Sequence, residues 1–430
     1  MKLWKTETES INNIDRFTVG KDREMDLLLA KHDVIGSMAH AEMLCKCGLL
    51  TNEENAKLQN ALNDILSMIL NNIFIIEEGI EDVHSQIEKI LTDKCGETGK
   101  KIHTARSRND QSLTDIKLFI REELKSITGQ VEQLFDTLIQ LSEKHIDKLM
   151  PGYTHYQLAM PSSFGLWFSA YAESLSEDLE VIKMAYGIAD KNPLGSAAGY
   201  GSSFPVDREY TTALLGFSDL NINAVYAQMT RGKTEKQCAW ALSAVAATLS
   251  KMAGDIVLFM NQEFGYISFP DKYTTGSSIM PHKKNPDVWE LVRGKCARLQ
   301  SLPNELTLLI NNLPSGYHRE FQLTKEILFP AIKELKEVLS VTTEVIAAAE
   351  IKADILKDSK YDTLFTVEAV NELVMQGFPF REAYHIVSKQ VMNHSFSRPN
   401  TIKHTHTGSI GNTGNKLITE RFKAKMKFIK

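Results

Sequence analysis

The sequence predicts an all-α protein built around an elongated central bundle of five long helices, with smaller helical domains before and after it. Apolar residues recur at steps of three and four over five stretches of roughly twenty to thirty residues, the spacing of one helix face. No run of alternating apolar and polar residues indicates a set of strands. We therefore expect an N-terminal helical domain over 1–106, a central long-helix bundle over 107–352 and a small C-terminal domain over 353–430.

Each long helix is predicted from its own apolar pattern. The clearest case carries Leu113, Phe119, Val131 and Leu138 on one face. The others are predicted to begin after about 162 or 163, to run from about Thr234 to Phe264 with Gly265 as a stop, to begin at Pro286, and to run from about Phe321 to Glu350. Long apolar faces of this kind are often completed by other subunits, so we expect an oligomer.

The composition is that of an ordinary soluble chain. Of 430 residues, 43% are apolar and 24% are charged. The net charge is −5, so the chain has no excess of positive charge with which to bind nucleic acid. The stretch from Met1 to Glu7 lacks the apolar core of a signal peptide, and Lys251 and Asp255 interrupt the most apolar segment, which argues against a membrane span. Five scattered cysteines are typical of reduced thiols, so we expect a cytoplasmic protein.

Three polar connections between the helical stretches carry side chains suited to binding an anion. They are His103-Thr104-Ala105-Arg106-Ser107-Arg108-Asn109-Asp110-Gln111, Gly152-Tyr153-Thr154-His155-Tyr156-Gln157 and Gly276-Ser277-Ser278-Ile279-Met280-Pro281-His282-Lys283-Lys284-Asn285-Pro286-Asp287. In the third, Asn285 is the predicted N-cap of a helix with Pro286 at its first position. The amides and dipole of a helix N-terminus attract anions, and Lys283 or Lys284 adds a full positive charge. This connection is therefore predicted to hold a carboxylate or phosphate.

Simpler interpretations apply to each of these patterns. Two lysines beside a capped helix are commonly a solvated surface, and a single histidine is usually structural. Two further patterns could suggest metal binding, Cys45-Lys46-Cys47 and His404-Thr405-His406. Neither has matching ligands at the required spacing, and a helix and a polar surface loop explain them better. No metal site is expected.

At all three connections the sequence resembles the aspartase/fumarase superfamily and, within it, the argininosuccinate lyases. GSSIMPHKKNPD is similar to the superfamily signature, and HTARSRNDQ and GYTHYQLAMP are similar to blocks that distinguish the argininosuccinate lyases. Recognisable blocks run from about Asp33 to Arg381, which is most of the chain. The resemblance implies an aspartase/fumarase-like fold that forms a homotetramer with a twenty-helix core, and active sites that each draw on three subunits.

The implied activity is the reversible elimination of 2-(N-arginino)succinate to fumarate and L-arginine, the last step of arginine biosynthesis, with no metal or organic cofactor. A proton α to a carboxylate is a very weak acid, so its removal needs a placed base and stabilisation of the doubly charged aci-carboxylate. The resemblance assigns Ser277 as the base, Lys283 as the cation over the developing charge and Asn285 as a carboxylate ligand. His155 is implied to protonate the departing guanidine nitrogen or to organise a group that does, with Glu290 supporting it.

The resemblance also implies which residues bind the substrate. Those for the fumarate portion are Thr154, Asn109 and Arg108. Those for the arginine portion are Tyr317, Gln322 and Lys325, which match the family pattern YxRxxQxxK, and Asp26 for the α-amino group.

Some positions depart from the family pattern. Asp22 stands where the family has a serine, and Leu364 stands where it has an aspartate. Gln228 lies where an arginine is expected near the substrate, which leaves open whether Gln228 or Arg231 takes its place. These changes concern affinity more than the elimination chemistry.

Two other functions remain open from the sequence. Adenylosuccinate lyases of the same superfamily favour a histidine at the position of His282, but a nucleotide would call for further phosphate-binding residues. A non-enzymatic relative, such as a lens structural protein of this fold, has no need for Ser277, Lys283 and His155 together.

Overall fold

The structure is a computed structural model that describes residues 12–399, 402 and 404–428. The first seven residues, which carry the prediction about a signal peptide, lie outside these ranges.

The prediction of an all-α chain is confirmed, since helices dominate the described residues. The helices are α1 (Asn12–Val19), α2 (Asp22–Leu27), α3 (Ala30–Lys46), α4 (Asn52–Leu70), α5 (Val83–Cys95), α6 (Glu97–Lys100), α7 (Arg108–Lys144), α8 (Phe164–Ala189), α9 (Arg208–Leu214), α10 (Ala224–Met229), α11 (Lys233–Phe259), α12 (Asp287–Leu299), α13 (Leu302–Ile310), α14 (Leu323–Ala347), α15 (Thr366–Met375), α16 (Phe380–Met392) and α17 (Asn415–Lys425). Short strands form three two-stranded sheets, which pair β1 (Leu149–Thr154) with β2 (Gln157–Ser163), β3 (Lys191–Asn192) with β4 (Asp219–Leu220), and β5 (Ile267–Ser268) with β6 (Glu350–Ile351).

Four of the five predicted long helices are single elements, namely α7, α8, α11 and α14. The predicted helix at Pro286 is instead two helices, α12 and α13, and α12 begins one residue later than expected. Pro303 in the first turn of α13 explains the break, because it has no N–H to donate to the carbonyl of Leu299, where α12 ends, and its ring clashes with that carbonyl. The end of α11 at Phe259 is earlier than predicted, and the Asn261 side chain accepts the Glu263 N–H (2.8 Å) in the following turn.

The chain divides into two compact units. Unit 1 comprises Met1–Ile127, Val181–Ala244 and Arg298–Leu335, and unit 2 comprises Thr128–Glu180, Val245–Ala297 and Lys336–Lys430. The divisions fall inside α7, α8, α11, α12 and α14, so these helices contribute residues to both units. The three domains expected from the sequence remain a prediction.

The core of unit 1 explains how α5 is placed. α3, α4 and α5 bury a shared apolar cluster that includes Leu44, Leu62 and Leu91. Asp82 is the N-cap of α5, and its carboxylate accepts a hydrogen bond from the backbone N–H of Ser85 at 2.8 Å. An N-cap of this kind typically contributes about 1 kcal/mol, so it fixes where the first turn of α5 starts.

The apolar faces predicted for the long helices are buried. Leu113, Phe119, Val131 and Leu138 of α7 are all within the core. Among the described helices, α11 alone is long and apolar enough to cross a membrane, and half of its most apolar window is already buried in protein. Core helices also meet that test, so it gives only weak support for a membrane span.

Candidate active site

Unit 1 contains a polar cavity that brings together six of the predicted substrate-binding residues. These are Asp26, Arg108, Asn109, Tyr317, Gln322 and Lys325. The remaining lining residues were not assigned to the site from the sequence, and they are Asp22, Glu81, Asp82, His84, Ser112, Arg231 and Arg319. The cavity thus gathers side chains from five separate stretches of the chain.

A buried three-residue ion pair forms one wall of this cavity. The ammonium of Lys325 lies 2.5 Å from an Asp22 carboxylate oxygen and 2.6 Å from Oδ1 of Asp26. Burial acts to lower the pKa of Lys325, but the two carboxylates outweigh it and hold that pKa above its ordinary value. Burial raises the pKa of Asp22 to about 6 in spite of the neighbouring Lys325 charge. Asp26 is predicted to bind the α-amino group of the arginine portion, and in this structure its Oδ1 accepts a hydrogen bond from Lys325.

Arg108 is held at the start of α7 by the start of α5. Its guanidinium donates to Oδ2 of Asp82 at 2.9 Å and to Oγ of Ser85 at 2.8 Å. Burial of Asp82 acts to raise its pKa, but the charges of His84 and Arg108 outweigh this and lower it. The predicted pair of Arg108 and Asn109 therefore depends on an N-cap that the sequence analysis did not single out.

The structure distinguishes between the two replacements for the missing family arginine. Arg231 lines the cavity, where it pairs with Glu235 (3.0 Å) and donates to Oγ of Ser112 (3.2 Å). Gln228 is buried elsewhere and donates to Oγ of Ser196 at 3.0 Å. Of these two residues, only Arg231 therefore lines the cavity.

Behind the cavity lies a buried cluster made by Asp33, His84 and Asp115. Nδ1 of His84 forms a short hydrogen bond with Asp33 and lies 3.7 Å from Oδ2 of Asp115. Asp33 also accepts a hydrogen bond from the Gln111 amide at 2.8 Å. The ligand atoms of the three residues lie within 4.8 Å of one another, a spacing compatible with a cation, but the His84–Asp33 bond already satisfies Nδ1. The cluster is therefore best described as a hydrogen-bonded charge network.

In unit 2, the predicted base lies on a loop closed by an antiparallel bridge between Thr275 and Asn285. Oγ of Ser277 accepts backbone N–H groups from Met280 at 3.2 Å and Ile279 at 3.4 Å. Hydrogen bonds to an oxygen favour its negatively charged form. Asn285 is not the N-cap of α12, because that helix begins two residues later, at Asp287. The hydrogen bonds of its side chain are donations from the amide to Thr275 and to the Gly276 carbonyl within the loop (both 3.4 Å).

The two adjacent lysines of this loop differ in their contacts. Lys284 is ion-paired with Asp271. Lys283 is exposed and forms no ion pair with any residue in the described ranges. Glu290 is an exposed residue in the first turn of α12. Of the two lysines, Lys283 is thus the one whose charge is available to an anion.

Thr154 and His155 lie in a β-hairpin, which the sequence analysis did not predict. His155 and Tyr156 form its two-residue turn, and both have positive φ angles of 54° and 58°. Consecutive left-handed residues are typical of a type I′ turn and are strained for residues other than glycine or asparagine. The hydroxyl of Tyr153, next to Thr154, is 2.6 Å from that of Tyr266, which fixes the base of the turn. His155 is therefore exposed at the tip of an anchored hairpin.

The predicted site residues thus fall into two groups. Six lie together in the cavity of unit 1, and the other six, Thr154, His155, Ser277, Lys283, Asn285 and Glu290, belong to unit 2. The unassigned residues Asp82 and His84 had a sequence signal, because Glu81-Asp82-Val83-His84 places an acidic pair and a histidine at the start of an amphipathic stretch. Arg319 had one too, because it lies inside the pattern that identified Tyr317 and Gln322.

Comparison with known proteins identifies the family and the fold. The sequence model of a family described as Lyase matches residues 3–301. The argininosuccinate lyase of Bacteroides fragilis is 55% identical over 418 residues, which cover 97% of this chain and 94% of that protein. Among solved structures, EDDS lyase in complex with formate has a TM-score of 0.75 at 20% identity, with 98% of this chain and 91% of that chain covered. A class II fumarase from Schistosoma mansoni has a TM-score of 0.75 at 16% identity, with 88% of each chain covered.

The likeness to the two solved structures shows a shared fold, and the identity to the Bacteroides protein over nearly the whole length is specific to one branch of that fold. The chain belongs to the argininosuccinate lyase family.

Proposed function

We propose that the protein catalyses the reversible elimination of 2-(N-arginino)succinate to fumarate and L-arginine by general acid/base catalysis, the last step of arginine biosynthesis. The chemical assignment rests on one observation about the loop that contains Ser277 and Lys283. Oγ of Ser277 accepts hydrogen bonds from backbone N–H groups, and Lys283 is exposed and forms no ion pair with any described residue. This loop has the two features that removal of a proton α to a carboxylate requires.

The first feature is a base. A serine hydroxyl is a poor base unless its negatively charged form is stabilised. The N–H groups of Met280 and Ile279 point at Oγ of Ser277 and favour that form. Ser277 takes the proton from the substrate carbon, and the electron pair moves into the adjacent carboxylate.

The second feature is stabilisation of the aci-carboxylate that forms. The ammonium of Lys283 supplies a positive charge there, and the amide of Asn285, two residues after Lys283 on the same loop, is a hydrogen-bond donor. His155 protonates the departing guanidine nitrogen, or orients the group that does. Its exposed place at the tip of the hairpin fits a residue that reaches substrate, and Glu290 supports it.

The unit 1 cavity is proposed to bind the substrate portions that do not react. Its lining mixes carboxylates with cations, which suits a substrate that itself carries carboxylates, an ammonium and a guanidinium. Tyr317, Gln322, Lys325 and Asp26 are proposed to bind the arginine portion. Arg108 and Asn109, with Thr154 of unit 2, are proposed to bind the fumarate portion.

We further propose a cytoplasmic homotetramer with shared active sites, acting without nucleic acid, membrane or cofactor. Large exposed apolar side chains on several helices support assembly, among them Met184, Trp240, Leu291 and Val341. All five cysteines are unpaired, as in reducing compartments. Size-exclusion chromatography with light scattering measures the mass, and a monomeric active enzyme would contradict the proposal.

The activity is tested by following fumarate release by absorbance from argininosuccinate and, in parallel, from adenylosuccinate. We expect release from argininosuccinate alone. The Ser277→Ala variant is expected to lose about 10²–10⁴ of kcat, the range of a general base. Ser278→Ala is the matched control, since Ser278 is the exposed neighbour on the same loop. Near wild-type turnover by Ser277→Ala would refute the assignment of the base.

A further inference from the structure

His84 occupies an unusual place between the unit 1 cavity and the buried cluster behind it. It lies in the first turn of α5, two residues after the N-cap residue Asp82. Its side chain is only 8% exposed, yet it lines the cavity. Nδ1 bonds Asp33 on the protein side, so the ring edge with Nε2 is the one left to the cavity.

Nε2 of His84 has no hydrogen-bond partner among the described residues. It is also not among the buried polar atoms that are sealed from solvent without a partner. A buried polar group normally finds a partner in protein or water. Nε2 therefore faces a space from which a ligand or water can reach it.

The groups packed around His84 favour the protonated form of its ring. It faces Asp33 of α3, Asp115 of α7, Asp82 at the start of α5 and Asp26 of α2. Burial alone would lower the pKa of His84, but the charge and hydrogen bond of Asp33, with the other carboxylates, raise it. A protonated imidazole has a donor on both nitrogens, so Nε2 carries an N–H.

The other charges of the cavity wall are already paired within the protein. Lys325 pairs with Asp22 and Asp26, and Arg108 pairs with Asp82. Likewise, Arg319 contacts Glu81 at 2.9 Å, and Arg231 contacts Glu235 at 3.0 Å. The partner of His84 is Asp33, which does not line the cavity, so the N–H at Nε2 is a charge-assisted donor directed at the cavity.

We propose that His84 is a further substrate-binding residue that donates its Nε2–H to a carboxylate of the succinyl portion of argininosuccinate. The succinyl portion is assigned because Ser85, the next residue, holds Arg108, which is proposed to bind the fumarate portion. The inference rests on the proposed function and adds a residue to the same site. Asp33, with Gln111 and Ser37 bonded to it, positions the ring.

Two variants separate substrate binding from a structural role. In His84→Asn, the amide can replace the Nδ1 donor to Asp33 but leaves nothing at the position of Nε2. In His84→Gln, the amide reaches the position of Nε2 but not that of Nδ1. If His84 served only to hydrogen-bond Asp33, the asparagine variant would be the milder one. Substrate binding predicts the opposite order.

The experiment measures KM and kcat for argininosuccinate, and inhibition by fumarate and by arginine, across pH. We expect His84→Asn to raise the KM and the fumarate inhibition constant about tenfold, with kcat and arginine inhibition changed less than threefold. His84→Gln is expected to recover part of this loss. Exposed His385, replaced by asparagine, is the control.

The pH profile adds a second readout. In the wild type the donor is present below the raised pKa of His84 and is lost as the pH rises through it, so KM should rise on the alkaline side. The KM of His84→Gln should not show this rise at alkaline pH. An asparagine variant that binds fumarate normally, or that weakens only arginine, would overturn the proposal. Failure of the wild type to release fumarate from argininosuccinate would instead refute the proposed function.

Discussion

Replacement of Lys325 by methionine tests whether the cavity wall depends on a buried ion pair. Lys325 is 5% exposed and lies within 2.6 Å of both Asp22 and Asp26. Methionine has a similar length but no charge, so the two carboxylates would be left together in a buried site. Removing one partner of such a pair typically costs about 3–5 kcal/mol, because the remaining charge is uncompensated.

The expected shift in melting temperature follows from chain length. An unfolding entropy of ~2.1 cal/mol/K per residue over 430 residues amounts to about 0.9 kcal/mol/K. A loss of about 3–5 kcal/mol therefore lowers Tm by about 3–6 °C if the chain unfolds as a whole, and by more if unit 1 unfolds alone. The same change is expected to raise the KM for argininosuccinate at least tenfold, which corresponds to about 1.4 kcal/mol.

Differential scanning fluorimetry and the fumarate assay measure these two quantities. Lys333→Met is the matched control, because Lys333 is an exposed lysine on the same helix, α14. Its Tm should stay within about 1 °C of the wild type. If Lys325→Met melted with the control and kept the wild-type KM, the buried pair would contribute neither stability nor substrate binding, and the reasoning would be wrong.

Three further predictions concern pH, packing and assembly. Burial raises the pKa of Asp22 from 3.8 to about 6, so this group's contribution to stability is full below pH 3.8 and falls by up to about 3 kcal/mol as the pH rises through 6. Asp22→Asn should therefore flatten the dependence of Tm on pH between about 4 and 6, and an unchanged slope would contradict the assignment. Gly165→Ala would put its Cβ 2.6 Å from Cα of Ile146, so Tm should fall by about 1–3 °C, equivalent to ~1–3 kcal/mol, whereas a wild-type Tm would mean that the backbone yields freely. If subunits share active sites, mixing and refolding Ser277→Ala with Lys325→Met should restore part of the activity that each variant lacks at substrate concentrations below the wild-type KM, and a mixture no more active than its components would argue for sites within single subunits.

The sequence determined the helical fold and the family, together with the stretches that carry the chemistry. The reason is local: apolar residues at helical spacing, such as those from Leu113 to Leu138, must be buried on one face whatever their partners are. The motif around Ser277 and Lys283 is likewise contiguous in the chain, so it could be read without coordinates. The predicted ends of the helices were less accurate. The end of α11 at Phe259 and the break before Pro303 depend on single side chains in turns.

Only the tertiary structure decided which charges meet. Arg231 and Gln228 are equally plausible from the sequence, but only Arg231 reaches the cavity. The pairing of Lys325 with Asp22 joins residues some three hundred positions apart, and the bond between His84 and Asp33 crosses two helices. Such contacts depend on how helices pack, and the same packing removes the water that would otherwise screen the charges. The protonation of His84 and the direction of its free nitrogen are therefore properties of the folded chain, because burial and distant carboxylates set them together.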